Sequence, residues 1–185
     1  MYEVEVKVPA DLEAVRSRLE TLDATPCGTV VQIDTYYDAP HRSFPETDEA
    51  LRIRTERPDD GPEETRITYK GPLVDDESKT REEVETAVAD GEKLDAVLTN
   101  LGFEAAATVR KERERFALET DDVYTITLDT VDDVGEYVEV ETEVDRDGDL
   151  EAARDGAYEI LTDLGLDPAD QIRTSYLGLL LEADG

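Results

Sequence analysis

In five segments of the chain, charged and apolar residues alternate with a period of two: YEVEVKV at 2–8, ALRIR at 50–54, RITYK at 66–70, REEVE at 81–85 and EYVEVE at 136–141. Successive side chains of a strand point to opposite faces. Glu3, Glu5 and Lys7 therefore share one face while Val4, Val6 and Val8 share the other, and Arg52 and Arg54 stand opposite Leu51 and Ile53. One half-buried strand of this kind is ordinary. Several of them, some with only acids on the polar face (Glu139, Glu141) and some with only bases (Arg52, Arg54), predict a sheet curled so that its charged face surrounds something highly charged.

The remaining pattern supplies the other elements. The strand at 2–8 is followed by a helix opening at Pro9, with Leu12, Val15, Leu19 and Leu22 at helical spacing. Strands follow at 29–38, 50–57, 64–71 and 79–87, separated by turn-rich segments such as DAPHRSFPETD and RPDDGPEE. A short helix fits 92–101, closed by Gly102. Strands at 106–119, 123–130 and 136–145 come next, then a helix over 149–164 ending at Gly165 and a last apolar helix over 174–182. Eight strands joined mostly by short turns predict an α+β fold, a mainly antiparallel eight-stranded barrel or tunnel with flanking helices, wide enough to hold one ligand. A chain of 185 residues is long enough to bury a core and is read as one domain over 1–185.

Charge changes the picture more than length does. With 49 acids against 19 bases the formal net charge is −30. Such an excess strains a fold at low ionic strength, and it disfavours nucleic acid and anionic membranes as partners. Salt screens it, so the acidity fits a salt-rich, halophilic cytoplasm in which carboxylates keep the protein hydrated. Apolar periodicity persists along nearly the whole chain, which argues against disorder. The single cysteine, Cys27, excludes an intrachain disulfide. No apolar run approaches the roughly 20 residues of a membrane span, and the chain opens on a charged strand in place of a signal peptide. The protein is expected to be cytoplasmic.

The blocks YEVEVK at 2–7, QIDTYYDAP at 32–40, TDEALRIR at 47–54, TYKGP at 68–72, SKTREEVE at 78–85, VRKERERF at 109–116, LDTVDDVGEYVEVE at 128–141 and RTSYLGLLL at 173–181 occur in this order. Together they resemble the CYTH superfamily, in its class IV adenylate cyclase branch, across essentially the whole chain. The resemblance implies a tunnel that binds a triphosphate with a divalent metal, Mg²⁺ or Mn²⁺, as two ions. Glu3, Glu5, Asp129, Glu139 and Glu141 fall at the family's metal-ligand positions, and oxygen ligands suit these cations. Glu3 or Glu141 could instead orient a lysine or a water from outside the metal's own ligand set.

A triphosphate demands several cations. Arg52 and Arg54 offer planar forks for phosphate oxygens, and Lys7, Lys70, Lys111 and Arg113 add charge from neighbouring strands. Lys7, Glu5, Asp129 and Glu139 are the expected catalytic residues. Arg81, Glu83 and Glu85 read as a charge network of the tunnel wall, while Arg66 and Arg115 fit either face. Carboxylates in turns, such as Asp59, Asp60, Asp75, Asp76, Asp121 and Asp122, read as solvated surface, as does the lone histidine, His41. No Ser–His or Cys–His pairing supports covalent catalysis, and GPLVDD is no phosphate loop.

Two reactions fit such a tunnel. ATP would be cyclised to 3′,5′-cyclic AMP with loss of pyrophosphate, or a triphosphate, inorganic or of thiamine, would lose its terminal phosphate to water. The cyclase is the preferred reading because TDEALRIR, TYKGP and TSYLGLLL resemble that branch. A non-enzymatic triphosphate- or polyphosphate-binding module is the third reading, and the full carboxylate set argues against it. The apolar last helix is expected to cap the barrel or to pack between the subunits of a homodimer.

Overall fold

The computed structural model describes residues 1–145 and 147–184. Its strands are β1 (Tyr2–Pro9), β2 (Thr25–Asp38), β3 (Ala50–Pro58), β4 (Glu64–Leu73), β5 (Lys79–Val88), β6 (Glu104–Glu119), β7 (Val123–Val131) and β8 (Gly135–Val144). They close into a barrel in the order β1-β5-β4-β3-β2-β6-β7-β8. Every neighbouring pair is antiparallel, and β1 completes the ring by pairing with β5 on one side and β8 on the other. The β1–β5 seam that closes the ring is short, four residue pairs from Tyr2 opposite Glu82 to Glu5 opposite Lys79.

Among the described residues five α-helices flank the barrel: α1 (Leu12–Thr21), α2 (Phe44–Thr47), α3 (Gly91–Asn100), α4 (Leu150–Asp163) and α5 (Tyr176–Asp184). Pro9 does not open the first helix as the sequence reading has it; it ends β1. The helix begins at Leu12 because the Asp11 carboxylate accepts from the Glu13 and Ala14 amides, satisfying two of the orphan donors of the first turn. Strand β2 starts four residues before the expected 29, running through a register shift at Pro26/Gly28 where Gly28 has φ +98°. That shift carries Cys27 into the strand, exposed. The short α2 lies within a segment read as turn. Gly102 (φ +96°) and Gly165 (φ +80°) follow α3 and α4 as expected of helix ends.

The hydrophobic core lies outside the barrel. Val6 and Val8 of β1, Ile126 and Leu128 of β7, and Val138 and Val140 of β8 face outward against Leu12, Val15 and Leu19 of α1 and Ala157, Ile160 and Leu161 of α4. Each fully buried aliphatic side chain here contributes on the order of 1.5–3 kcal/mol. A second contact packs Tyr37 of β2 and Ile53 of β3 on Leu98 of α3. The strand alternation has one consequence for the site: with apolar faces turned out to helices, the charged faces are turned in. At one end of the barrel Tyr176 of α5 packs with Val109, Val131 and Tyr137. Among the described residues no helix is long and apolar enough to cross a membrane.

Two outcomes follow for stability. A Cβ at Gly156 of α4 would collide with the Tyr124 hydroxyl, which donates to the Ala153 carbonyl at 3.0 Å. Gly156→Ala is therefore expected to cost about 1–3 kcal/mol, measured as a lower urea midpoint at unchanged slope. With a net charge of −30, the melting temperature is expected to rise by several degrees between about 0.1 M and 2 M KCl, measured by calorimetry; a flat response contradicts a self-repulsion that salt screens.

Candidate active site in the barrel lumen

The inner wall encloses a cavity of about 440 Å³ lined by Arg52, Arg54, Lys70, Lys79, Arg81, Lys111, Arg113 and Arg115, and by the acids Glu3, Glu5, Asp38, Asp48, Glu49, Glu83, Glu85, Glu139 and Glu141. Among the described residues eight bases thus meet nine acids around one cavity, in a chain whose acids outnumber its bases 49 to 19. Cations are concentrated where the strand alternation turns inward.

The strands position these groups by register. Glu5 of β1 lies opposite Glu141 of β8 and Lys79 of β5, and Glu3 lies opposite Arg81. One carboxylate oxygen each from Glu3, Glu5 and Glu141 falls within 4.8 Å of the others. Three acids this close repel one another. Burial first, and then the neighbouring Glu3, pushes the Glu141 carboxyl up to about 8. The Glu3 carboxyl is also raised, by burial, with Lys70 opposing and Glu83 adding to the rise. This donor set, hard oxygens whose negative charge Lys79 at Glu5 and Lys70 at Glu3 offset only in part, fits a divalent cation such as Mg²⁺ or Mn²⁺.

Asp129 and Glu139 are engaged differently. Arg113 donates from Nε and Nη2 to the two Asp129 oxygens, both at 2.6 Å, and from Nη2 to Glu139 Oε2 at 2.5 Å. Asp129 is fully buried and also accepts the Tyr176 hydroxyl at 2.7 Å. Burial alone would raise the Glu139 carboxyl; Arg113 and then Lys111 hold it well below the usual range. The structure therefore gathers Glu3, Glu5 and Glu141 into one cluster and sets Asp129 and Glu139 on the guanidinium of Arg113.

Among the bases, Arg54 is held by Asp34, which accepts Nε and Nη2 at 2.7 Å each. Arg52 donates to Thr68 Oγ1 at 3.3 Å and leaves its buried Nε without a partner. Lys70 pairs with Glu83, and Lys79 donates to Glu5 Oε1 at 3.0 Å. Lys111 faces the cavity, its ammonium pushed down to about 7 by burial and by Arg113. Lys7, on the same inward face as Glu3 and Glu5, is fully buried against Tyr176 and does not line the cavity. Its Nζ donates to the Thr174 carbonyl at 2.5 Å, and burial with the charge of Lys79 lowers it to about 8.

Arg81 lines the wall yet spends its Nη1 on the Gly71 and Asp48 carbonyls, fastening β4 to β5. Arg66 is solvated and pairs with Glu64 and Glu85, whereas Arg115 reaches the lumen and forks onto Glu56. His41 is exposed. Asp75 is a correction to the solvated-turn reading. It is half-buried, accepting Ser78 Oγ and Arg154, and Arg173 donates to its carbonyl and to that of Ser78. Sequence reasoning missed Lys79, Asp34 and Tyr176. The alternation Lys79, Arg81, Glu83, Glu85 contained a signal for the first; nothing local marked the other two.

The cavity is not charged throughout. Tyr36, Phe44, Leu51, Leu177 and Leu181 add an aromatic and aliphatic stretch to its wall. A second cavity of about 390 Å³, against Met1, Glu3, Glu83, Val84, Glu85 and Glu143, shares three of the same acids.

A cation in the Glu3–Glu5–Glu141 cluster must displace the proton on Glu141. Because that carboxyl is raised from its ordinary 4.5 to about 8, protonation favours the fold, and in the absence of cation the associated stability, full below about 4.5, is lost as pH rises through about 8. Mg²⁺ affinity is accordingly expected to increase between about pH 6 and 8, by up to about tenfold per unit, measured by titration calorimetry. Glu141→Gln should flatten that pH dependence. A slope unchanged in the variant removes Glu141 from the cluster.

Comparison with known proteins agrees with this architecture. Residues 1–176 match the CYTH domain family. A Methanocaldococcus jannaschii protein provisionally named an adenylate cyclase is 37% identical over 180 residues, covering 97% of this chain and 98% of that one. The structure of the PH1819 protein from Pyrococcus horikoshii superposes with a TM-score of 0.90 at 38% identity, over 97% of this chain and 98% of that one. A more distant Hippeastrum structure shares the fold, with a TM-score of 0.66 at 16% identity over 98% of this chain and 95% of its own; it is named as an adenylyl cyclase candidate with a dominant triphosphatase activity. A closed eight-stranded antiparallel barrel with its charged face inward, matched over 176 residues, places the chain in the CYTH domain family.

Proposed function

We propose that this protein is a divalent-metal-dependent enzyme that binds a triphosphate in the barrel lumen, and that its reaction is the conversion of ATP to 3′,5′-cyclic AMP and pyrophosphate. The observation that carries the reading is the meeting, within one cavity, of eight bases with a cluster of three carboxylates whose charge Lys79 and Lys70 offset only in part. Bases alone would bind a polyanion; acids alone would bind cations. A triphosphate–metal complex uses both.

Each group has a place in that reading. Arg52, which lines the cavity, and Arg54, braced by Asp34, face phosphate oxygens; Lys70, Lys111 and Arg113 supply further positive charge. Glu3, Glu5 and Glu141 would hold the cation, which supplies Lewis-acid stabilisation of charge on phosphoryl oxygens. Glu139, which lines the cavity and gives Arg113 only one oxygen, is the next carboxylate to serve a second cation, while Asp129, both oxygens taken by Arg113, sets the geometry beside the cluster. In the cyclisation, the ribose 3′ hydroxyl gives up its proton to solvent and its oxygen bonds to the α-phosphorus while the bond to pyrophosphate breaks. The bases offset the charge that gathers on the leaving group.

The apolar stretch of Tyr36, Phe44, Leu51, Leu177 and Leu181 favours a triphosphate with an organic substituent over inorganic triphosphate. The name of the M. jannaschii relative supports the same preference. A specific observation supports hydrolysis as the second reading: the neighbouring cavity at Met1, Glu85 and Glu143 offers water a place against the same acids.

The test is a product assay in molar KCl with Mg²⁺ and then Mn²⁺, presenting ATP, inorganic triphosphate and thiamine triphosphate separately. Cyclic AMP with pyrophosphate establishes the cyclase. Orthophosphate from a triphosphate without cyclic AMP replaces it with the hydrolase, and no product from any of the three ends both. Glu5→Gln is expected to lower turnover by about 100-fold or more with the melting temperature retained, and Arg54→Ala to raise the Michaelis constant about tenfold. Parent-like constants in both variants would remove these residues from the site.

A further inference from the structure

Tyr176, the first residue of α5, stands at the meeting point of three lumenal bases. Its ring centroid lies 4.3 Å from Lys7 Nζ and 4.8 Å from Lys111 Nζ. Its hydroxyl donates to Asp129 Oδ2, the oxygen that also takes Arg113 Nη2. The ring itself is fixed against Tyr137, with centroids 5.4 Å apart and planes at 59°. A tyrosine serving only as filler would meet aliphatic groups; this one meets two buried ammoniums.

The two lysines are not held alike. Lys7 has the Thr174 carbonyl as a second anchor. Lys111 is only 4% exposed and faces the cavity, yet among the described residues it forms no hydrogen bond and no ion pair. The Tyr176 ring is the contact that holds it. A lysine side chain has four rotatable bonds, and an ammonium without a fixed partner dilutes its charge over many positions. Cation–π attraction is strongest where the cation is desolvated, as here.

We infer that Tyr176 is a positioning residue for the anion-binding wall: its ring, more than its hydroxyl, holds the Lys111 ammonium at the cavity surface where an oxygen of the triphosphate is bound. This inference rests on the proposed triphosphate reading. It assigns the last helix a role in ligand affinity in addition to closing one end of the barrel.

The experiment is calorimetric titration of the full chain with a non-hydrolysable ATP analogue in molar KCl, with melting temperatures recorded alongside. Tyr176→Phe keeps the ring and is expected to bind within about twofold of the parent, whereas Tyr176→Leu should weaken binding about tenfold. In a Lys111→Met background the same Tyr176→Leu change should cost less than about twofold, because the two residues act through one contact. An undiminished loss in that background, or a Phe variant as weak as the Leu variant, overturns the inference in favour of a structural role. Parent-like affinity in Tyr176→Leu also overturns it. Failure of the parent to bind the analogue defeats the underlying functional reading instead, and this inference with it. Should Tyr176→Leu not fold, the Lys111 side-chain proton resonances decide: an upfield ring-current shift retained in Tyr176→Phe supports the contact, and unshifted resonances in the parent overturn it.

Discussion

The cost of burying charge governs this structure. A carboxylate or an ammonium taken out of water loses several kcal/mol of hydration even after relaxation, and this barrel turns a ring of such groups inward. Arg113 shows how the cost is met. Its guanidinium satisfies both oxygens of Asp129 and one of Glu139, with the Tyr176 hydroxyl completing Asp129. Asp34 does the same for Arg54, and Glu56 for Arg115. Removing one partner from such a set leaves the other buried and alone, so the pairs fix strand register as firmly as the apolar contacts do.

Neutralisation is incomplete in two places, and they lie in the same cavity. Glu3, Glu5 and Glu141 crowd together with a surplus of negative charge, while Lys111, among the described residues, keeps unspent donors. An inner wall optimised only for stability would pair these groups with each other. Keeping them apart leaves one region receptive to a cation and another receptive to an anion, which is the electrostatic preorganisation a metal–polyphosphate ligand requires.

The outer face carries the stability that permits this. Because β1, β7 and β8 turn their valines, leucine and isoleucine outward, α1 and α4 form the core against the barrel's exterior. The lumen is thereby relieved of packing duties. Arg154 and Arg173 extend the same economy to the β4–β5 hairpin, whose Asp75 they hold to α4 and to the segment before α5. That hairpin leads directly into Lys79, the partner of Glu5.

Strand alternation was legible in the sequence because a period of two is a local property: which of Glu3, Val4, Glu5, Val6 share a face needs no knowledge of the fold. So were the helix ends at Gly102 and Gly165, and the inward placing of Arg52, Arg54, Lys111 and Arg113, once eight alternating strands implied closure. The start of α1 was misread because Pro9 suits a first helical turn as well as a strand end, and only the Asp11 cap distinguishes them. What the sequence by itself determined is which residues of each alternating strand share a face. Which of those become partners was decided by tertiary structure alone: that Glu141 adds to Glu3 and Glu5, that Arg113 takes Asp129 and Glu139, and that Tyr176 reaches Lys111 from 65 positions away. The reason is that pairing energies depend on distance and burial across strands, and both come into being only when the barrel closes.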